Sequence, residues 1–598
     1  MTPATVRTAC VGHSHTRQYN VKLGLPWTAG LAVVVAGFTL GCEGLPQDQT
    51  EGAQGSDEAA TTESETYATE TSGASQWSGG GTSTVLPGDQ MGRIARAFTI
   101  RAKTATLDAL VGPGINITNG DNDRYHDKCA TYTKGLPHDS YGRVNLGAYS
   151  ALSKALKSGK FADFEKIPLG GVRLLTGPLG ALAYDLEGLD PAQFGAPEVP
   201  TPPASASDQS AVELLEHYWA ALLRDVPFGA YDANPIAIAA AAELTGIPSY
   251  VGPRNGSGHV TPSLLFRGEF PGETLGPHVS QFALKPASFG AQPLGQQQFT
   301  YVPNVDFGTS FADWLAVQNG NVVGVLQVDP VLRYRRNGRD FAAWTRSDPV
   351  YQVYLVAALV LGSINAPLNP GNPYVHSRTQ NGFNTFGGPD IQVMLAEVSA
   401  RALNAAWYQK WFVHLRARPE QAGGLIHLIK TGQGSKTHCR FSNVIMNSQG
   451  LEQSHDKYGT WLLSQAYPEA SPTHPSYPTG HGVVAGAAIT VLKFYYDGNF
   501  VIPNPVVPSD DGLSLVSYTG PDANQLTVNG ELNKLGHNVS FAHGIHAGIH
   551  WRSDTDSSLL LGEALALRIL QNKARTYSEP FTVKLTKFDG RIATISNR

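Results

Sequence analysis

The residues whose types and spacing suit chemistry lie in the last third of the chain, in three short segments. The first is Trp407-Tyr-Gln-Lys410-Trp-Phe-Val-His414-Leu-Arg-Ala-Arg418-Pro419. Lys410 sits near the end of a long amphipathic stretch, and Arg418 immediately precedes the proline expected to stop it. A lysine point charge and a forked guanidinium converging from one helix end suit a tetrahedral oxyanion. Alone this is weak, because basic residues collect at helix C-termini on dipole grounds. The second segment, Pro472-Thr-His474-Pro-Ser-Tyr-Pro-Thr479-Gly480-His481, runs into an apolar helix. Unpaired N–H groups at a helix start favour an anion. Thr479 can add a hydroxyl donor or act as an ordinary N-cap, Gly480 permits close backbone approach, and His481 can deliver or remove a proton. The third segment is His543-Gly-Ile-His546-Ala-Gly-Ile-His550-Trp-Arg-Ser-Asp554. On a helix, His550 and Asp554 share a face, so the carboxylate can orient the imidazole as a ligand or nucleophile.

The elements that position these segments read as helices. Period-3.6 patterns cover 210–223, 235–244, 350–361, 390–416, 482–496 and 545–572. Long Pro/Gly-punctuated loops separate them, notably 191–206 and 249–299, and loops of that length usually carry function. Short β-rich pieces at 301–305, 513–518 and 581–585 look peripheral. The fold class is mainly α. Ten of the 18 histidines fall between 414 and 550, where any one alone would more often be a hydrogen-bonded core or surface residue, so the case rests on constellations.

The chain has 598 residues and net charge −5, unevenly spread. Residues 1–42 hold three bases and no acid, residues 43–92 nine acids and no base, and residues 93–598 hold 41 bases against 40 acids. A near-neutral body argues against a nucleic-acid binder. The basic start and the glycine-punctuated apolar run 23–40 predict an export signal over 1–42, with no integral membrane span in the mature body. Cys42 after Thr39-Leu40-Gly41 fits a lipoprotein box, so lipid anchoring and simple cleavage with release both stay open. The location is then periplasm, outer surface or medium. Residues 43–92 are too polar to offset their ordering entropy and read as a disordered acidic tether. Cys129 and Cys439 remain in the body, and the sequence alone leaves their pairing open.

In order, Lys-x7-Arg-Pro, Pro-Thr-Gly-His and His-x3-Asp resemble the three-part signature of the vanadium-dependent haloperoxidase and acid phosphatase superfamily. The algal-type bromoperoxidase branch looks closest, through 410–420, 472–478 and 548–552, with Ile167-Pro-Leu-Gly-Gly171 and 221–228 in the front half. The resemblance spans roughly 120–590. It implies two four-helix bundles in one compact unit with long loops, an N-terminal helical half (93–380) contributing to a homodimer, and a C-terminal half (381–598) carrying a vanadate site. Lys410, Arg418, Thr479 and the Gly480 amide would hold vanadate oxygens, and His550 would bond vanadium. His481 would be the acid–base residue, His474 a second active-site histidine, Lys410 the group polarising peroxide, Trp407 an aromatic wall and Asp554 the support of His550. The implied reaction oxidises halide, bromide above all, with hydrogen peroxide, and a small organic acceptor is then halogenated. Vanadium stays V(V) as a Lewis acid.

Two departures stand out. Thr479 replaces the family serine and keeps its hydroxyl. Gly544 stands six residues before His550, where the family has arginine. Losing one charge-assisted donor costs about 1.5–3 kcal/mol, roughly 10- to 150-fold in affinity. A one-residue bulge would bring His543 into that slot. On a helix His543, His546 and His550 would share a face, so that His546 also reaches the site or the three bind a divalent metal. Two alternatives of other kinds follow from the same residues: a phosphatase with His550 as nucleophile, and a silent surface lipoprotein that kept the fold.

Overall fold

Helix α7 (Gly480–Tyr495) is the axis of the molecule, with every residue but His481 buried. In chain order α1 (Gln90–Ala109), α2 (Asp208–Leu222), α3 (Gly338–Arg346), α4 (Gly388–Tyr408), α5 (Pro419–Leu428) and α6 (Gln449–Tyr458) precede it, and α8 (Val528–Phe541) and α9 (Arg552–Ala574) follow it; of these, α4, α8 and α9 pack against it. These come from a computed structural model that describes residues 90–598. The expected signal, Cys42 and nearly all of the acidic tether lie outside the described residues.

Small residues let α9 lie directly on α7. A Cβ on Gly486 would fall 2.1 Å from the Leu559 carbonyl, and one on Gly562 would fall 2.1 Å from that of Val483; only glycine fits either place. Helices α4 and α8 complete this bundle around Met394, Val398, Ile489, Leu492, Leu535 and Leu559. A second helical group gathers about α2, which packs on α5, α6, 235–245 and 443–446 through Leu215, Trp219, Ile426, Ile445 and Leu451. Front-half and C-terminal helices therefore interleave within one compact unit. The strands form four two-stranded antiparallel ribbons. Cys129 and Cys439 are joined in a disulfide, with Cα atoms 5.9 Å apart. Among the described residues, no helix is long and apolar enough to cross a membrane.

Several expected helices end differently. The stretch expected to run to Arg416 leaves α-geometry after Tyr408 and passes into a π-helical turn, Gln409–His414. Pro419, expected as a terminator, instead opens α5 at its first position with Arg418 as N-cap, where the missing proline N–H costs nothing. The helix expected over 545–572 is broken. Helix α8 enters a second π-helical turn, Ala542–His546, the chain reverses through Gly548 at φ 89°, and α9 starts at Arg552. The apolar pattern did not flag α1, α3, α5, α6 or α8. Helix α1 also begins at Gln90, within the segment read as tether to residue 92.

Candidate active site

The first π-helical turn and the α5 N-terminus aim two buried cations at one place. Lys410 Nζ donates to the carbonyls of Pro475 (2.9 Å) and Ser476 (2.7 Å), leaving one of its three N–H groups. Arg418 donates through Nε and Nη2 to the His474 carbonyl, through Nη2 to His474 Nδ1 (3.0 Å), and through Nη1 to the Ile549 carbonyl (2.9 Å) and His550 Nε2 (2.8 Å). Burial and the neighbouring Arg418 hold the Lys410 ammonium well below its ordinary pKa, and burial brings Arg418 down to about 10. The site is thus short of negative charge. His474 is buried there as well, its ring 4.8 Å from that of Trp407. Trp407 is anchored by its indole N–H on the Thr176 carbonyl, 3.1 Å away.

Thr479 occupies the N-cap position of α7, yet its hydroxyl caps nothing. Thr479 Oγ1 is fully buried without a hydrogen-bond partner, so an ordinary N-cap does not account for it. Its backbone N–H is taken by Ser558 Oγ at 2.8 Å. At Gly480 a Cβ would come within 3.0 Å of the Trp407 ring, so glycine keeps that wall close.

His550 and Asp554 meet, but not by sharing a helix face. His550 precedes α9 and Asp554 is in its first turn. Asp554 Oδ2 accepts from His550 Nδ1 (3.1 Å), from the Trp551 backbone N–H (3.1 Å) and from Ser476 Oγ (2.5 Å). Burial, then the charges of Arg418 and Lys410, hold the His550 pKa well below its ordinary value. Its Nδ1 faces the Asp554 carboxylate and its Nε2 faces Arg418, the arrangement that suits a ring carrying its proton on Nδ1.

The second π-helical turn places His543 beside His481 and His550. Its ring lies 4.1 Å from that of His481 and 5.7 Å from that of His550, and its buried Nδ1 has no partner. Gly544 serves the backbone: its carbonyl accepts from the Ile549 N–H at 2.8 Å, and a Cβ there would stand 3.3 Å from His550 Cβ. His546 does not reach the site. It turns into a cage of Phe228, Phe266, Phe341 and His278 rings, because a π-helical turn spoils the three-and-four spacing that would align it. Among the described residues no group of three or more His, Cys, Asp or Glu is placed to hold a metal ion, which removes the three-histidine metal site.

Asp348 was not foreseen. Its Oδ1 lies 2.9 Å from His481 Nε2, across 133 residues and with no spacing pattern to reveal it. Arg416, Ser476 and Ser558 likewise emerge only from the folded contacts.

The donor set fits vanadate. Lys410 has a spare N–H, Thr479 Oγ1 and His543 Nδ1 are buried and unpartnered, and His550 Nε2 offers a lone pair. A protein meeting a polar anion in a dry pocket needs such unsatisfied groups, which are otherwise costly.

No family model matches the chain. It is 36% identical over 527 residues to a vanadium-dependent bromoperoxidase of Ascophyllum nodosum, covering 84% of this chain and 92% of that one. It is 30% identical over 600 residues to one of Corallina officinalis, covering 84% and 99%. The solved homohexameric second vanadate-dependent bromoperoxidase of Ascophyllum nodosum superposes with a TM-score of 0.82 at 29% identity, covering 88% of this chain and 95% of that one. The chain belongs to the vanadium-dependent bromoperoxidase family.

Proposed function

We propose that this protein is a vanadate-dependent bromoperoxidase that oxidises bromide with hydrogen peroxide, giving a hypobromous-acid equivalent that brominates small organic acceptors. The observation that carries it is the placement of His550, whose Nε2 faces the cationic cluster of Lys410 and Arg418 in the pocket that also holds the orphaned Thr479 hydroxyl. Vanadate bound there supplies a Lewis acid that activates peroxide without changing oxidation state. Holding it falls to His550 Nε2, to the spare N–H of Lys410, to Thr479 Oγ1 and the Gly480 amide, and to the Arg418 N–H that now rests on His550. His543 takes the role of the missing arginine as a neutral donor. Burial, then the neighbouring His481, Arg418 and Lys410, keep the His543 pKa well below the ordinary range, so it contributes a hydrogen bond rather than a charge. With Nε2 anchored on Asp348, His481 gives or takes its proton at Nδ1.

The bromoperoxidase relatives leave the phosphatase and silent-protein alternatives unfavoured. Bromination of a diketone dye by full-length apo-protein with bromide and peroxide should appear only on adding orthovanadate. Phosphate-ester cleavage in place of bromination would sink this reading.

Two further readings extend it. The protein is exported: an oxidising compartment suits the Cys129–Cys439 disulfide. It also self-associates. Ile94 and Phe98 of α1, with Leu110, Val111, Tyr184 and Leu186, expose large apolar surfaces, and α1 and the 184–190 loop line one cavity of about 270 Å³. Large apolar side chains left exposed in this number on and around one helix point to a protein contact. Light scattering of the purified protein tests it: a monomeric mass would reject self-association, and a defined oligomer decides between the dimer and a larger ring.

A further inference from the structure

We propose that Arg416 is a positioning residue for His550, fixing through Asp554 which imidazole nitrogen carries the proton. The inference deepens the bromoperoxidase reading and rests on it. Arg416 sits between the first π-helical turn and α5, and only 6% of it is exposed. Its Nη1 donates to Asp554 Oδ1 at 2.6 Å and to Ser553 Oγ at 2.8 Å, and its guanidinium lies over the Trp551 ring, 4.9 Å from the centroid. Its backbone carbonyl accepts from the Ser476 N–H at 2.9 Å, while the Ser476 hydroxyl donates to Asp554. Arg416, Ser476 and Asp554 close a ring of bonds, one residue from each of the three segments that build the site. From the far side, Glu213 of α2 accepts from Ser553 Oγ at 2.8 Å and lies 3.7 Å from Arg416 Nη2.

The ring has one chemical consequence. With Oδ1 held by the guanidinium, Asp554 has a fixed carboxylate plane and presents only Oδ2 to His550. A carboxylate paired with a guanidinium accepts hydrogen bonds and does not donate them. His550 must therefore carry its hydrogen on Nδ1, and Nε2 must keep its lone pair. The opposite tautomer would point an N–H at the cationic side, where it can bond neither a metal centre nor Arg418. Glu213 and Ser553 stop the guanidinium from swinging away.

The test reads the tautomer and the affinity separately. Nitrogen–proton correlation spectra of vanadate-free full-length protein, with His550→Gln to assign the ring, should show Nδ1–H in the wild type. Arg416→Met should populate the other tautomer and weaken vanadate binding, measured by calorimetry, by about 10- to 100-fold, the usual cost of removing a ligand's supporting partner. Arg416→Lys, which keeps the charge and loses the fork, should fall between. A folded Arg416→Met that retains the wild-type tautomer and binds vanadate within twofold of wild type would overturn the proposal. If Arg416→Met does not fold, Glu213→Gln answers the same question, and an unchanged tautomer and affinity there also overturn it. Wild-type protein that binds no vanadate would sink the functional reading instead, and the spectra would still decide the tautomer.

Discussion

Two buried histidines on either side of the second π-helical turn show how neighbours decide what an imidazole does. His537, on α8, has Glu273 Oε1 2.6 Å from Nδ1 and Asp556 Oδ1 2.8 Å from Nε2, with Glu269 also nearby. Burial works to lower its pKa, but the charges and hydrogen bonds of Glu273 and Asp556 prevail and raise it to about 9. His550 is as deeply buried, yet its own carboxylate is already engaged by Arg416 and its other neighbours are cations, so it stays neutral. One site is an internally satisfied ion cluster that contributes stability. The other keeps positive charge and bare donors uncompensated, which makes sense only if an anion completes it.

That contrast can be broken in four ways, taken from the largest expected effect. His550→Ala should abolish vanadate-dependent bromination, a loss of about 4 kcal/mol or more in transition-state stabilisation, some 1,000-fold, seen in the dye assay. Activity within tenfold of wild type would show that the lone pair is not what matters. His537→Gln should destabilise the protein by about 3 kcal/mol near pH 6. Since the folded pKa lies above the unfolded value of about 6.5, the contribution is complete below that pH and fades as pH rises through about 9. Denaturant melts of wild type and variant should therefore converge in alkali, and a gap independent of pH would contradict the ion cluster. Vanadate at a hundred times its Kd should stabilise wild-type protein by about 2.7 kcal/mol, measured in the same melts, and leave His550→Ala unmoved. The smallest effect belongs to Thr479→Val, which should weaken vanadate by about 1.5 kcal/mol, roughly tenfold. If calorimetry finds no change, the orphaned hydroxyl is not a vanadate donor.

The site was legible where its chemistry is local. Lys410, Arg418, Thr479, Gly480, His481 and His550 each lie in a segment whose residue types announce an oxyanion pocket, and the helix following Thr479 is visible as an apolar run. What failed was geometry inferred from ideal helices. His546 was aligned with His550 on a 3.6-residue period, but that stretch is a π-helical turn and a reversal at Gly548. The same assumption ran the helix before Lys410 too far and made Pro419 a stop rather than a start. Asp348 and Arg416 were beyond reach for another reason. Their roles arise from contacts with residues more than a hundred positions away, and a lone aspartate before proline or an arginine in a basic stretch carries no pattern of its own.

The Cys129–Cys439 bond has a meaning beyond cross-linking two loops. An enzyme that releases a hypobromous-acid equivalent makes the very reagent that attacks thiols first, and thiolate oxidation beyond the sulfenic state is largely irreversible. Cys129 and Cys439 are the only cysteines in residues 90–598, and both are spent in the disulfide. Met394, the softest remaining sulfur near the catalytic bundle, is wholly enclosed. The folded body thus offers its own product no free thiol, a form of self-protection built from residues that take no part in the reaction.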